Sequence, residues 1–453
     1  HHGFTATSRA KHRCVSSKNH RINVNRGAIV SPSTQQHTLY FFVLFFLLWF
    51  LKNIIDEPTQ IRRGRVGHGS GRPACPLDDD AHIGTSGQTQ DAGRLGRNMQ
   101  RIPLARPAWD EEMRDAALKV LDSGRWVKGP ENQAFAEEFA HWCGAIAATP
   151  CHNGSAALIA ALRILSIGPG DEVIVPSLTF IATATAVSLV GATPVFVDVE
   201  RDYWCIDPAE AEAAINKKTK AVIGVHLFGQ AFSPRLREIC DANNIALIED
   251  AAQAHGTDLG GKKAGSIGDI ACFSFFPSKN MAVGGEGGMI TTTRPDLAEK
   301  MLRFVNHGRN DALESVELAT NLRMSEVQAA IGRVQLKAID EWISKRRKNA
   351  TEINQGTKIR PNSQHSWHQY CILSENPSIL INELSAAGID AKIHYPTPCH
   401  RQAVFANHHQ HGTILPVTDD IASRLVAVPV HPGLNQEEVE RIVTTLSSAK
   451  ETN

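Results

Sequence analysis

Residues 273–280 read FSFFPSKN, and residues 284–289 read GGEGGM. The apolar run at 271–275 predicts a buried strand, and the glycines that follow predict a flexible loop. Lys279 therefore lies just past a buried strand. Burial disfavours the ammonium form of a lysine, so a desolvated Lys279 would be a nucleophilic amine that reacts with aldehydes. A lone loop lysine is usually solvated, and this residue indicates little by itself.

Two segments that precede this lysine place polar groups at predicted strand ends. Residues 151–156 (CHNGSA) join a strand to a helix. There Gly154 and Ser155 would offer backbone N–H groups and a hydroxyl to a phosphate, although many such turns look alike. Residues 248–256 (IEDAAQAHG) end a strand with two acids. Asp250 could hold a ring nitrogen in its protonated form, or it could simply cap a helix.

The three segments together are far more specific than any of them alone. A phosphate-binding turn, an acid for a pyridinium nitrogen and a Schiff-base lysine are what pyridoxal 5′-phosphate (PLP) requires of a protein. Each segment lies where a predicted strand leaves the sheet. The sequence therefore predicts a PLP site built from Lys279, Asp250 and the turn at Gly154.

The surrounding pattern predicts an α/β fold. Short apolar runs between residues 145 and 292 alternate with helical stretches, which is typical of a doubly wound, mostly parallel sheet with helices on both faces. After a long helix expected at 325–348 the pattern changes to a smaller α+β unit. We expect a large cofactor-binding domain at 99–340 and a small C-terminal domain at 341–453.

Composition narrows the class of protein. The chain has 453 residues, 47 basic and 47 acidic side chains and 42% hydrophobic residues, which excludes a mainly disordered or polytopic membrane chain. The zero net charge gives no reason to expect nucleic-acid binding. Nine scattered cysteines without a C-x-x-C pair indicate reduced thiols. The histidine clusters near 394–411 lack zinc-like spacing, so no metal site is expected.

The first 98 residues differ from the rest, since they hold 13 of the 47 basic residues and only 6 of the 47 acidic ones. They contain one apolar run of 13 residues, Leu39–Leu51, whereas a spanning helix needs about 20. We expect residues 1–98 to be a disordered extension upstream of a natural start at Met99. The alternative is a signal anchor formed by Leu39–Leu51.

Beyond these local signals, residues 102–447 resemble the DegT/DnrJ/EryC1/StrS family of PLP-dependent sugar aminotransferases. The resemblance is carried by ordered motifs, among them GPGDEVIVPSLTFIATATAV (168–187), EDAAQAHG (249–256) and NLRMSEVQAAIG (321–332). It implies a fold-type I PLP enzyme that forms a homodimer with its active sites at the interface. It also implies an amino donor, expected to be glutamate, and a nucleotide-linked keto deoxysugar as acceptor.

The resemblance implies a role for each matched residue. Lys279 would bond to the cofactor aldehyde and move the proton, while Asp250 would pair with the pyridine nitrogen. Gln253 is expected to contact the phenolic oxygen of the cofactor, and Phe180 its ring face. Gly154, Ser155 and Ser274 are expected to bind its phosphate. Asn321 is expected to reach the phosphate of the partner's cofactor. Substrate contacts are expected in the matched loops at His226, Arg309 and Tyr395.

Three alternatives remain beside a cytoplasmic aminotransferase. Some members of the family are PLP-dependent sugar dehydratases in which histidine replaces the lysine, and Lys279 argues against this activity. A non-catalytic regulatory protein on the same scaffold is disfavoured by the joint presence of Lys279, Asp250, Gln253 and Ser274. A membrane-tethered scaffold protein would depend on Leu39–Leu51.

Overall fold

The computed structural model describes residues 100–452. The apolar run Leu39–Leu51 and the expected extension at 1–98 lie outside the described residues. Within the described part, no helix combines the length and the apolar character that crossing a membrane requires.

A seven-stranded sheet organises most of the chain. Its strand order is β1-β9-β8-β5-β4-β2-β3, and β8, β5, β4, β2 and β3 run parallel while β9 is antiparallel to both neighbours. The prediction of a mostly parallel sheet is confirmed. The strands and the short hairpin β6–β7 are β1 Ala147–Cys151, β2 Glu172–Pro176, β3 Thr193–Val197, β4 Thr219–Val225, β5 Ala246–Asp250, β6 Asp258–Leu259, β7 Lys262–Lys263, β8 Ile270–Ser274 and β9 Gly288–Thr292.

Helices separate most of the strands, as the alternating pattern predicts. The described helices are α1 Glu111–Ser123, α2 Pro130–Cys143, α3 Gly154–Ile164, α4 Ala182–Leu189, α5 Pro208–Ala214, α6 Arg235–Asn243, α7 Pro295–Phe304, α8 Glu326–Ile353, α9 Pro377–Ala386, α10 Pro416–Ile421 and α11 Gln436–Thr452. The central strands are apolar on both faces because helices cover them on both sides, so they appear in the sequence as continuous hydrophobic runs.

Local signals fix the helix ends. The Asp110 side chain accepts a hydrogen bond from the Met113 amide at 2.9 Å and begins α1. Ser325 and Gln328 form a capping box at the start of α8. This helix ends at Ile353, five residues later than the sequence pattern predicts. It continues because Ala350 and Ile353 extend its buried face.

A second, antiparallel sheet follows α8. It has the order β11-β13-β12, formed by Tyr370–Leu373, Leu425–Val428 and Lys392–Ile393. A strand of two residues, β10 Ser363–Gln364, pairs instead with β6. The part of the chain after α8 therefore contains both strands and helices. The division at residue 340 stays a prediction, and that residue lies inside α8.

Candidate active site

The carboxyl ends of the parallel strands bring the predicted site residues to one edge of the sheet. Asp250 is the last residue of β5, and Ser274 is the last residue of β8. The turn at Gly154 follows β1, which runs in the same direction as β8 because both are antiparallel to β9. Phe180 follows β2. Open α/β sheets bind their ligands at this edge.

The Asp250 carboxyl is buried and held by two donors. Its Oδ2 accepts a hydrogen bond from Thr183 Oγ1 at 2.7 Å, and its Oδ1 accepts one from the Ala252 amide at 3.2 Å. Burial raises the pKa of Asp250, while these hydrogen bonds and then the charge of Lys279 counteract the rise. No helix follows Asp250, so the alternative role as a helix cap is wrong.

Gln253 and Tyr395 form one unit beside Asp250. Gln253 Nε2 donates a hydrogen bond to the Tyr395 hydroxyl at 2.9 Å, and its Oε1 accepts one from the Phe228 amide at 2.7 Å. The Tyr395 ring lies 6.0 Å from that of Phe180, centroid to centroid. Phe180 is 43% exposed, so one aromatic face remains open next to these polar groups.

The turn before α3 approaches β8 and β9 closely. Asn153 caps α3 by accepting a hydrogen bond from the Ala156 amide at 2.8 Å. A Cβ atom at Gly154 would lie 2.8 Å from the Ser274 Cβ, so only glycine lets this helix end meet β8. Ser155 is exposed in the first turn. The turn therefore presents free N–H groups and two hydroxyls, from Ser155 and Ser274, to an anion.

Lys279 lies in the loop after β8. Its amide donates a hydrogen bond to the Phe276 carbonyl at 2.8 Å, and the residue is partly buried. The neighbouring Asn280 is fixed by hydrogen bonds to the Ser366 carbonyl at 3.2 Å and to His368 Nδ1 at 3.3 Å. The loop is thus anchored at Asn280, and it holds the lysine close enough to Asp250 for its charge to affect the pKa of that carboxyl.

The other predicted residues show no side-chain hydrogen bond to this cluster among the described residues, although the His226 amide donates one to the Asp250 carbonyl at 3.1 Å. His226 has no exposed surface; its Nε2 lies 2.9 Å from Glu249 Oε2, and its ring stacks on Phe232 with the centroids 4.2 Å apart. This position favours a structural role over substrate contact. Arg309 and Asn321 are both exposed in the segment between α7 and α8.

Two residues outside the predicted set support the site. Thr183, in the first turn of α4, holds Asp250, and its hydroxyl lies 3.0 Å from that of Thr179. In the sequence, Glu249 is distinguished only as the neighbour of Asp250. Its carboxyl is fully buried and bonded to the turn at 265–268. The signal available in the sequence for Thr183 was its position three residues after Phe180. No local signal indicated the role of Glu249.

A large parallel sheet with a lysine, a buried acid and a glycine-led helix at its carboxyl edge defines an α/β transferase of fold type I. The family model described as the DegT/DnrJ/EryC1/StrS aminotransferase family matches residues 107–447. The chain belongs to this family and is an aminotransferase. The recognition and the fold class inferred from the sequence are confirmed.

Individual relatives cover most of the described chain. It is 40% identical to UDP-N-acetyl-3-dehydro-alpha-D-glucosamine 3-aminotransferase of Acidithiobacillus ferrooxidans, over 72% of this chain and 91% of the relative. It is 38% identical to dTDP-3-amino-3,4,6-trideoxy-alpha-D-glucose transaminase of Streptomyces venezuelae, over 76% of this chain and 94% of the relative.

Solved structures agree with this assignment. S. venezuelae DesV, in complex with a ketimine intermediate, superposes with a TM-score of 0.75 at 35% identity, over 78% of this chain and 99% of that one. The PLP form of a sugar aminotransferase from Streptococcus pneumoniae has a TM-score of 0.73 at 28% identity, over 78% and 99%.

Proposed function

We propose that this chain uses PLP to move an amino group from glutamate to the keto group of a nucleotide-linked deoxysugar. The observation that supports this proposal most directly is that Lys279, Asp250 and the Gly154 turn share one edge of the sheet. The two named relatives act on UDP- and dTDP-linked sugars according to their names, which supports a nucleotide sugar as the acceptor.

The residues at this edge fit the cofactor. The turn before α3 requires glycine at position 154, and it offers an anion site for the phosphate. The hydroxyls of Ser155 and Ser274 flank this site. The exposed Phe180 ring offers a stacking face. Asp250 is a buried carboxyl that accepts hydrogen bonds from Thr183 and from the Ala252 amide, and a carboxylate can accept more than two, so it can also accept one from a protonated ring nitrogen.

Bound PLP supplies an electron sink for the carbon that carries the amino group. Asp250 would keep the ring nitrogen protonated, and that positive charge would in turn favour the ionised carboxyl against the effect of burial. Thr183 orients the carboxyl. Lys279 Nζ would act as general base and take the proton from the donor α-carbon. It would then act as general acid and deliver that proton to the cofactor carbon. Gln253, positioned by Tyr395 and Phe228, would donate toward the phenolic oxygen.

A homodimer is part of the proposal. Asn321 and Arg309 are exposed in the segment between α7 and α8, where Leu313 and Leu318 are also 71% and 85% exposed. Exposed apolar side chains of this kind are typical of an interface, and a second copy would cover them. In that dimer, Asn321 would reach the partner's cofactor phosphate, and Arg309 would approach its substrate. The molar mass in solution tests this part.

The proposal also includes a cytoplasmic location. The seven cysteines that the structure describes in the body are buried and unbridged, which fits a reducing compartment. Transamination is favoured over sugar dehydration because Lys279 stands where that activity would have histidine.

An absorbance experiment tests the proposed reaction. The full chain loaded with PLP should show a lysine-linked cofactor band, and glutamate should convert it to the pyridoxamine form. Lys279→Ala should lack the initial band and lose at least about 10⁴-fold in turnover, because both the covalent anchor and the proton-moving amine are gone. A correctly folded wild-type protein that shows no such band with PLP would contradict the proposed function.

A further inference from the structure

The segment at 365–369 joins β10 to β11 and is almost entirely buried. Trp367 and His368 are each 6% exposed, and Ser366 has no exposed surface. Helix α8 holds this segment from one side, since Arg346 Nη1 donates hydrogen bonds to the carbonyls of Trp367 at 3.0 Å and His368 at 3.2 Å. Its backbone is therefore a fixed support for the groups that bond to it from the other side.

The loop after β4 is one of the elements that rest on this segment. The Ser366 amide donates a hydrogen bond to the Gly229 carbonyl at 3.1 Å, and the Phe228 amide donates one to Gln253 Oε1 at 2.7 Å. Gly229 has a φ of +99°, and a Cβ atom there would lie 2.5 Å from Ser366 Oγ, so the close approach requires glycine. Gln253, the expected contact of the cofactor's phenolic oxygen, is thus tied to the segment at 365–369.

The loop after β8 rests on the same segment through Asn280, which directly follows Lys279 and is 4% exposed. Asn280 Nδ2 donates a hydrogen bond to the Ser366 carbonyl at 3.2 Å, and its Oδ1 faces His368 Nδ1 at 3.3 Å. An amide oxygen only accepts, so His368 Nδ1 is the donor. Burial lowers the pKa of His368 well below its usual value, and the charge of Lys279 lowers it further. The imidazole is therefore neutral at pH 7, and Nδ1 carries its proton.

The two loops that meet on this segment carry residues that must reach neighbouring atoms of one ligand. The aldehyde that Lys279 attacks and the phenolic oxygen expected beside Gln253 are attached to adjacent ring carbons of PLP. We propose that Asn280 is a positioning residue, which fixes Lys279 relative to Gln253 through its two hydrogen bonds to the segment at 365–369. This inference rests on the proposed function and adds to it the residue that sets the place of the lysine.

Two forms of the cofactor separate the step that needs Lys279 from the rest of binding. With PLP, the lysine amine adds to the aldehyde carbon, a carbon–nitrogen double bond forms and water leaves. Pyridoxine 5′-phosphate carries an alcohol in place of the aldehyde, so it can use the phosphate and ring contacts but cannot bond to the lysine. The ratio of the two dissociation constants therefore reports how well Lys279 reaches the aldehyde.

Gln335 provides a matched control on the same loop. It is 2% exposed, and its Oε1 accepts a hydrogen bond from the Ala282 amide at 2.8 Å. Asn280→Leu and Gln335→Met each replace a buried amide by an apolar side chain of similar size, and each releases one anchor of the loop. Only Asn280→Leu removes the anchor adjacent to Lys279.

Calorimetric titration of the cofactor-free full chain tests the proposal. Asn280→Leu should weaken PLP binding about 10- to 100-fold, the range expected when a reacting group is misplaced by about 1 Å, and should leave pyridoxine 5′-phosphate binding within about threefold. Gln335→Met should stay within about threefold for both ligands. Unchanged PLP binding in Asn280→Leu, equal losses of both ligands in that variant, or the same loss of PLP binding in Gln335→Met would overturn the proposal.

His368 provides a second test, which also decides the matter if Asn280→Leu does not fold. His368→Leu removes the donor to Asn280, whereas His368→Asn places an amide where Nδ1 lies. PLP binding should weaken about three- to tenfold in the first variant, as for one lost hydrogen bond, and stay within about twofold in the second. Equal binding by the two folded variants would count against the proposal.

The wild type distinguishes failure of this inference from failure of the proposed function. A folded wild type that forms no covalent band with PLP would contradict both. A wild type that forms the band, together with an Asn280→Leu variant that binds PLP equally well, would contradict only the role of Asn280.

Discussion

Glu249 and Asp250 are successive acids of strand β5, and their side chains leave opposite faces of the sheet. Glu249 has no exposed surface and is bonded to three backbone amides, those of Gly265, Ile267 and Gly268, and to the His226 ring. Asp250 has two donors and faces the cofactor edge. The difference shows that burial alone does not mark a functional acid. A functional acid is marked by the hydrogen-bond acceptor positions of its carboxylate that remain unoccupied.

The fully bonded acid supports the sheet from behind the site. Glu249 Oε1 accepts hydrogen bonds from Ile267 at 2.8 Å and Gly268 at 2.7 Å, and so it fixes the turn that leads into β8. β8 carries Ser274 at its end and Lys279 in the loop beyond it. Glu249 thus positions the strand from which two proposed cofactor contacts follow, without reaching the cofactor edge itself.

Replacing the partly bonded acid should reduce catalysis and spare the fold. Asp250→Asn removes the charge that keeps the cofactor ring nitrogen protonated, and we expect a loss of about 10²- to 10³-fold in the glutamate half-reaction, as for other preorganised electrostatic contacts. Burial raises the pKa of Asp250 above that of the unfolded chain, so the ionised carboxyl disfavours folding at neutral pH. The cofactor-free variant should therefore melt no lower than the wild type. Single-turnover absorbance and thermal melting measure the two effects, and a half-reaction rate like that of the wild type would argue against the assigned role.

Replacing the fully bonded acid should give the reverse result. Glu249→Gln turns one acceptor oxygen into an amide donor that faces backbone N–H groups or the His226 ring. Leaving buried donors unsatisfied should lower the free energy of unfolding by about 2–4 kcal/mol. Urea denaturation of the cofactor-free protein checks this value. If Glu249→Gln were as stable as the wild type and as inactive as Asp250→Asn, the two faces of β5 would not differ as we infer.

The sequence was sufficient for the parts of the site that depend on strand ends. Lys279, Asp250 and Gly154 follow apolar runs, and a parallel sheet must bring such ends to one edge. The pairing of Gln253 with Tyr395 was out of reach, since 142 residues separate them and only the tertiary fold makes them neighbours.

The loop in which a polar residue lies does not show which face of the sheet its side chain occupies. His226 follows a strand as a ligand-binding residue would, yet Glu249 and Phe232 enclose it on the other face. In the sequence, Arg346 stands in the basic run KRRK at 345–348, which is typical of a solvated helix surface. The structure instead buries this residue, while Lys345 and Lys348 form ion pairs on the surface of the same helix.

A third buried polar residue sharpens the comparison because its polar atoms have no hydrogen-bond partner in the part of the chain that the structure describes. His255 is fully buried near Phe273 and Phe275, and neither ring nitrogen has a hydrogen-bond partner among the described residues. Burial lowers its pKa from 6.5 to about 3, so the unfolded chain takes up a proton between these values while the native state does not. Stability should therefore fall as the pH drops below about 6.5, by up to ~1.4 kcal/mol per pH unit from this residue.

His255→Leu isolates this contribution. The variant should match or exceed the wild type in stability at pH 7, because no hydrogen bond is lost, and its stability should fall less steeply with acid, by one proton. His365 and His431 have pKa values lowered to about 3 by burial as well, so a residual slope is expected in the variant. Urea unfolding between pH 4 and 7, at one protein concentration, measures the slopes. Identical slopes would mean that His255 is protonated in the native state. The contrast between an imidazole without hydrogen bonds and the fully hydrogen-bonded Glu249 would then not hold.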